Sequence, residues 1–130
     1  MSHFTSIALE IREKDALVAA LNDLGFGNVE VHESPQPIRG YGGQTRRAEI
    51  IIRGIGYYTG DVGFRRTKDG RFEAVLDQDD EHQLGRDWRN RLLQRYGRHV
   101  AVAKLEKKGF RVVREETREG KLHLVMGRVR

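Results

Sequence analysis

Residues 17–31, LVAALNDLGFGNVEV, and residues 100–114, VAVAKLEKKGFRVVR, share one pattern: an apolar stripe at helical spacing, a Gly-Phe step, then a valine-bearing strand. In the first copy Leu17, Ala20, Leu21 and Leu24 recur at intervals of three and four, which places them on one face of a helix. Gly25 ends that helix as a left-handed cap, and Val29 and Val31 start a strand with both side chains inward. In the second copy a long helix over residues 85–108 carries Trp88, Leu92, Tyr96, Val100 and Ala103 on one face, with Leu93 at its edge. Gly109 ends it. Phe26 and Phe110 each follow a glycine cap, where an apolar side chain commonly packs back on the helix end.

The rest of the chain is read outward from these two units. Ile7, Leu9 and Ile11 alternate in a strand over residues 5–11, and Lys14-Asp15 opens the first helix. Ser34-Pro35-Gln36-Pro37 breaks any strand ladder. A glycine-rich loop follows, then a β-branched strand over residues 48–53 and a turn at Gly54 and Gly56. Residues 57–66 form a strand with Tyr58, Val62 and Phe64 on one face. Lys68-Asp69-Gly70 turns it, and Phe72, Ala74 and Leu76 alternate on the return. Residues 77–84 read as acidic and irregular. Residues 110–115 and 121–128 close as a hairpin through Arg118-Glu119-Gly120. The predicted order is β-α-β-β-β-β-α-β-β. It implies one α+β domain over residues 1–130, a two-layer sandwich of ferredoxin-like character with a mostly antiparallel sheet and both helices on one face.

Composition narrows the function classes. The 130 residues hold no cysteine, which excludes a disulfide framework, a thiolate metal site and a cysteine nucleophile. Mean hydropathy is −0.65, and no apolar run is long enough to span a bilayer. The opening MSHFTSIALEIREKD lacks a signal-peptide pattern, so a cytoplasmic protein is expected, stromal if plastid-encoded. Net charge is +5, unevenly spread: −4 over residues 1–38, +5 over 39–68, −5 over 69–85, +6 over 86–108 and +3 over 109–130. Two basic blocks thus flank an acidic one, which suits either internal neutralisation or a basic surface for an anionic partner.

MSHFT, the loop GYGGQT, the strand DVGFRR and the helix segment QRYGRHVAVAKLEKKGFRVV occur here in that order. Together they resemble the hypothetical chloroplast reading-frame family thirty-five, catalogued also as domain of unknown function number twelve fifty-seven. The resemblance spans nearly the whole chain. Its loop pattern Gly-Tyr-x-Gly-Gln falls on Gly40, Tyr41, Gly43 and Gln44, with Gly42 at the variable position. Residues 77–82 depart from the aromatic-rich segment usual there. The resemblance implies no activity. It hints at a multiprotein setting, with AAA+ ATPases encoded nearby.

The candidate binding surface is the loop Arg39, Gly40, Tyr41, Gly43, Gln44, Thr45, Arg46 and Arg47, with Arg65, Arg66, Arg91, Arg95, Arg98 and His99 expected nearby. Exposed main-chain N–H groups flanked by arginines can form an anion-binding nest. The alternative is a plain glycine-rich turn whose Gln44 and Thr45 satisfy main-chain groups. Gly42-Gly43-Gln44 also resembles the Gly-Gly-Gln loop with which release factors hydrolyse peptidyl-tRNA, but the pair includes the variable position. On the long helix, Arg91, Arg95 and Arg98 either track an anionic partner or pair with Asp77, Asp79 and Asp80. No two of the five histidines stand at i,i+4, so no metal site is expected, and none is a cofactor site. Asp61 shares a strand face with Gly63 and Arg65. There it either joins an ion ladder with Glu49, Arg53 and Glu73, or Gly63 leaves room for a close approach. The reading is a non-catalytic binding protein that engages a protein partner. Nucleic-acid binding through the same surface comes second, and a hydrolase using Gln44 or His99 last.

Overall fold

The computed structural model describes residues 4–40, 45–54 and 60–129. β1 (Phe4–Ala8), α1 (Lys14–Asp23), β2 (Val29–Arg39), β3 (Thr45–Ile52), β4 (Val62–Arg66), β5 (Phe72–Asp77), α2 (Gln78–Lys107), β6 (Phe110–Arg118) and β7 (Lys121–Arg128) follow one another in the expected order. β2 to β5 form an antiparallel meander. β1 adds to β5, which gives one sheet in the order β1-β5-β4-β3-β2. β6 and β7 form a separate two-stranded sheet. α1 therefore carries the chain from one edge of the large sheet to the other.

Both helices cover the same face of that sheet. Leu17, Ala20 and Leu21 of α1 and Trp88 and Leu92 of α2 pack on Ile50, Ile52, Val62, Phe64, Phe72, Ala74 and Leu76. The sheet residues come from alternate positions, as a strand with one helix-facing side requires. Phe64 and Trp88 stack at 6.3 Å between ring centroids, with planes 31° apart. Each such side chain removed from water contributes about 1.5–3 kcal/mol. Gly25 and Gly109 both have positive φ, 95° and 88°, as the twin Gly-Phe steps require.

A side chain of α2 also ties down the start of α1. Glu13, before the first turn of α1, supplies no side-chain cap. The hydroxyl of Tyr96 on α2 fills that role by accepting from the main-chain N–H groups of Arg12 and Glu13, at 2.9 and 3.0 Å. The Glu13 N–H is a donor that a helix start leaves without an intrahelical partner, and the Arg12 N–H lies just ahead of it.

Four expectations are corrected. Residues 34–37 do not end β2. The strand continues to Arg39 with a register shift between Val31 and Gln36, because β2 is an edge strand and its prolines lack only N–H groups. Residues 78–84 are helical. Asp77 caps them by accepting from the Asp79 N–H at 2.9 Å, and the acidic first turn suits a helix N-terminus. Gly85, at φ 76° and ψ 176°, then kinks α2 before the long segment begins. Val31 is 45% exposed rather than inward, and along α2 Val102 is buried while Ala103 is exposed. The hairpin β6–β7 lies along Gln94, Gly97, Arg98 and Ala101, so the buried side of α2 turns toward the neighbouring Val102.

Candidate interaction site on a folded-back hairpin arm

The outer half of the β2–β3 hairpin does not extend away from the sheet. Past the shift in β2 it folds across the face opposite the helices. Ile38 and Ala48 from this arm are fully buried with Ile51 and Val75 of the sheet, and Phe4 of β1 packs against them. Gly63 makes this possible. A Cβ built on it would lie 2.6 Å from Ala48 Cβ and 3.2 Å from Ile38 Cδ1. Any side chain there would collide with the arm. The close approach left open at Gly63 is thus made by the chain's own arm.

Asp61 fixes the base of the arm. It has no exposed surface, so its carboxylate depends on protein donors. Its Oδ2 accepts from the Arg39 main-chain N–H at 2.8 Å, Arg39 Nε at 3.2 Å and Arg53 Nη1 at 3.0 Å. Its Oδ1 accepts from Arg39 Nη2 at 3.2 Å and the Gly54 N–H at 2.9 Å. The Asp61 N–H in turn donates to Arg39 O at 2.9 Å. Burial pushes the carboxyl pKa upward, but the Arg39 and Gly54 donors and Arg53 outweigh it and hold the net value below the ordinary aspartate value. Arg53 extends the joint, bonding Glu30 at 3.0 Å and Pro37 O at 2.9 Å, and Glu30 also meets His32 at 2.9 Å. The hydrogen bond to Glu30 leads the causes that raise the Arg53 pKa. Of the expected ladder partners, Arg53 meets Asp61, whereas Glu73 pairs with Arg65 and Glu49 accepts from the Arg66 N–H at 3.3 Å.

The arm carries the basic loop. Gly40 passes over Phe4 so closely that an added Cβ would lie 2.6 Å from the ring. The Arg46 guanidinium stands 5.6 Å from the centroid of the same ring and donates to Thr45 O at 3.0 Å. Arg47 donates to Pro35 O at 3.1 Å. Arg39, Thr45, Arg46 and Arg47 are exposed. Among the described residues neither Arg46 nor Arg47 meets a carboxylate. Tyr41, Gly43 and Gln44 lie outside the described residues.

The other candidate residues are not gathered beside the arm. Arg65 is on the arm's face of β4 and pairs with Glu73. Arg66 turns to the helix side, lies 4.1 Å over the Phe72 ring, and donates to Arg12 O and Gly70 O at 3.0 and 2.7 Å. Arg91, Arg95, Arg98 and His99 belong to the helix layer, across the sheet. Among the described residues, the ion pairs of Arg95, Arg98 and His99 are structural ties rather than bonds to Asp77, Asp79 and Asp80. Arg95 and His99 meet Asp23 of α1 at 2.9 and 2.6 Å, and Arg98 meets Glu115 of β6 at 2.7 Å. Burial raises the Asp23 pKa, while the bonds from His99 and Arg95 outweigh it and leave it lowered. Arg91 is exposed near the turn at Gly120. His99 borders a cleft of about 490 Å³ between α1 and α2, with Ala16, Ala19, Val100 and Ala103 on its walls.

Sequence reasoning missed Ile38 and the pairing of Arg39 with Asp61. The one available signal for the latter was a lone Asp at the head of the apolar strand Val62-Gly63-Phe64, where burial demands a cationic partner. Among the described residues no three His, Asp or Glu side chains are grouped to hold a metal. No described helix is long and apolar enough to cross a membrane.

Residues 20–125 match the family model described as a protein of unknown function, DUF1257. The match bears out the resemblance to domain of unknown function number twelve fifty-seven. No curated protein and no solved structure matches the chain.

Proposed function

We propose, for a chain that belongs to the DUF1257 family, a non-catalytic binding role in which the β2–β3 arm engages a protein partner. The setting is a multiprotein assembly, in which an AAA+ ATPase is the candidate companion, in the cytoplasm or the plastid stroma. One observation carries this reading. Arg46 and Arg47 stand exposed and, among the described residues, without a carboxylate partner on an arm that Asp61 and Gly63 hold against the sheet. Elsewhere the candidate arginines Arg65, Arg95 and Arg98 are spent on internal ion pairs. A cation held in place with no internal counterion is suited to recognition across an interface.

The test is affinity purification of the tagged protein from its native host. A specific protein should co-purify, and Arg46→Ala/Arg47→Ala or Tyr41→Ala should release it. Recovery of the tagged chain alone would overturn the proposal. Nucleic-acid binding through the same arm is the second reading, favoured by the same free cations. It predicts retention on nucleic acid that falls steeply with salt.

A further inference from the structure

The large sheet guards both of its edges, and the C-terminal hairpin leaves one open. β2 carries Pro35 and Pro37 and a register shift, and β1 is five residues long. Both are devices that stop an edge from recruiting another strand. β7 has eight residues and no proline, and the register shift of its sheet inserts Val113 into β6 instead. Among the described residues β7 pairs with β6 alone.

The turn settles which groups that edge presents. Glu119 and Gly120 both have positive φ, 51° and 75°, in a two-residue hairpin turn. Arg118 and Lys121 are then a hydrogen-bonded pair, and such pairs alternate along the ladder. Lys121, His123 and Val125 turn their main-chain groups to β6. Leu122, Leu124 and Met126 turn theirs to the open edge. The side chains alternate as well. Leu122, Leu124 and Met126 are half-buried toward α2, whereas Lys121, His123 and Val125 are exposed on the outer face.

That outer face is basic and apolar. Arg111, Arg114, Arg118 and Lys121 stand there, and Val113, Val125 and Val129 are 60%, 39% and 53% exposed. Its acid, Glu116, is already held by Arg114 and Arg118 at 2.8 and 3.0 Å. We propose that the β7 edge takes up an extended acidic segment of another protein as an added strand. Its main chain would bond the outward groups of Leu122, Leu124 and Met126. Its acidic side chains would face the cations, and its apolar ones would continue the row toward α2. A second copy of this chain is disfavoured by charge. Antiparallel pairing of two β7 strands across their open edges, as with Leu124 opposite Leu124, joins two basic faces side by side. Nucleic acid is disfavoured by the valines, which offer bases no ring to stack on.

This inference rests on residues apart from the arm and stands independently of the arm's role. The experiment measures fluorescence anisotropy of a labelled ten-residue Glu-Val repeat added to the full chain. A Lys-Val repeat and a ten-base oligothymidylate serve as competing probes, and hydrogen exchange is followed at β7. The acidic peptide should bind alone and slow exchange at Leu122, Leu124 and Met126 by about tenfold or more. Val125→Glu, or Lys121→Glu should that variant melt early, should weaken binding about tenfold, and Arg46→Ala/Arg47→Ala should leave it unchanged. Four outcomes would overturn the proposal: no peptide binding, equal binding of the Lys-Val repeat, tighter binding of the oligonucleotide, or binding without protection at β7. Self-association of the chain that protects β7 before peptide is added would overturn it too.

Discussion

Ile38 occupies the space over Gly63 that a side chain at residue 63 would fill. The two are 25 positions apart in sequence, and their contact seats the arm on the sheet. Gly63→Val should therefore destabilise the chain by about 1–3 kcal/mol, as overpacking of a closed core does. A denaturant melt would show it as a lowered midpoint. An unchanged midpoint would mean that the arm does not press on β4.

Asp61→Asn should cost stability at neutral pH, because the buried acceptor of the Arg39, Arg53 and Gly54 donors loses its charge. A loss of about 1.5–3 kcal/mol is expected, the scale of hydrogen bonds to a charged group. The pH dependence has a definite sign. The folded pKa of Asp61 is lowered, so its contribution is complete above the unfolded value of about 3.9. That contribution declines as pH falls below that value toward the folded one. The wild-type chain should lose its advantage over Asp61→Asn across that acid window, as measured by parallel melts. A constant gap down to the lowest pH would contradict the joint.

Tyr96→Phe removes only a hydroxyl, yet it should destabilise by about 0.5–1.5 kcal/mol, since two main-chain donors at the start of α1 lose their acceptor. Amide exchange at Arg12 and Glu13 should quicken. Unaltered exchange there would place the cap elsewhere.

Arg46→Ala/Arg47→Ala should change stability by no more than about 0.5 kcal/mol, the usual scale for exposed positions. Partner capture should nevertheless be lost. A double variant that melts early would assign these arginines to the fold instead.

The helices and the succession of elements along the chain were legible because they are local. Leu17, Ala20 and Leu21 recur at helical spacing, and Phe72, Ala74 and Leu76 alternate, each within a few residues. The arm was not legible, because its determinants are distant. Ile38 is a single apolar residue between Pro37 and Arg39, and only the vacancy at Gly63 explains its burial. Arg39 likewise reads as one more loop cation until Asp61 is brought to it. The prolines misled in the opposite direction, since their effect depends on whether the strand is an edge. The acidic run after Asp77 held a usable signal that its composition hid. A capping Asp ahead of Asp79, Asp80 and Glu81 is how a helix begins.

The joint at Asp61 also bears on how an encounter at the arm would proceed. With its base tied and its flank seated, the described part of the arm has little main-chain freedom left to surrender when something meets Arg46 and Arg47, so it adds little to the ordering cost of association. Discrimination between partners would then come from fit, and differences in affinity would be read in the lifetime of the complex rather than in its rate of formation.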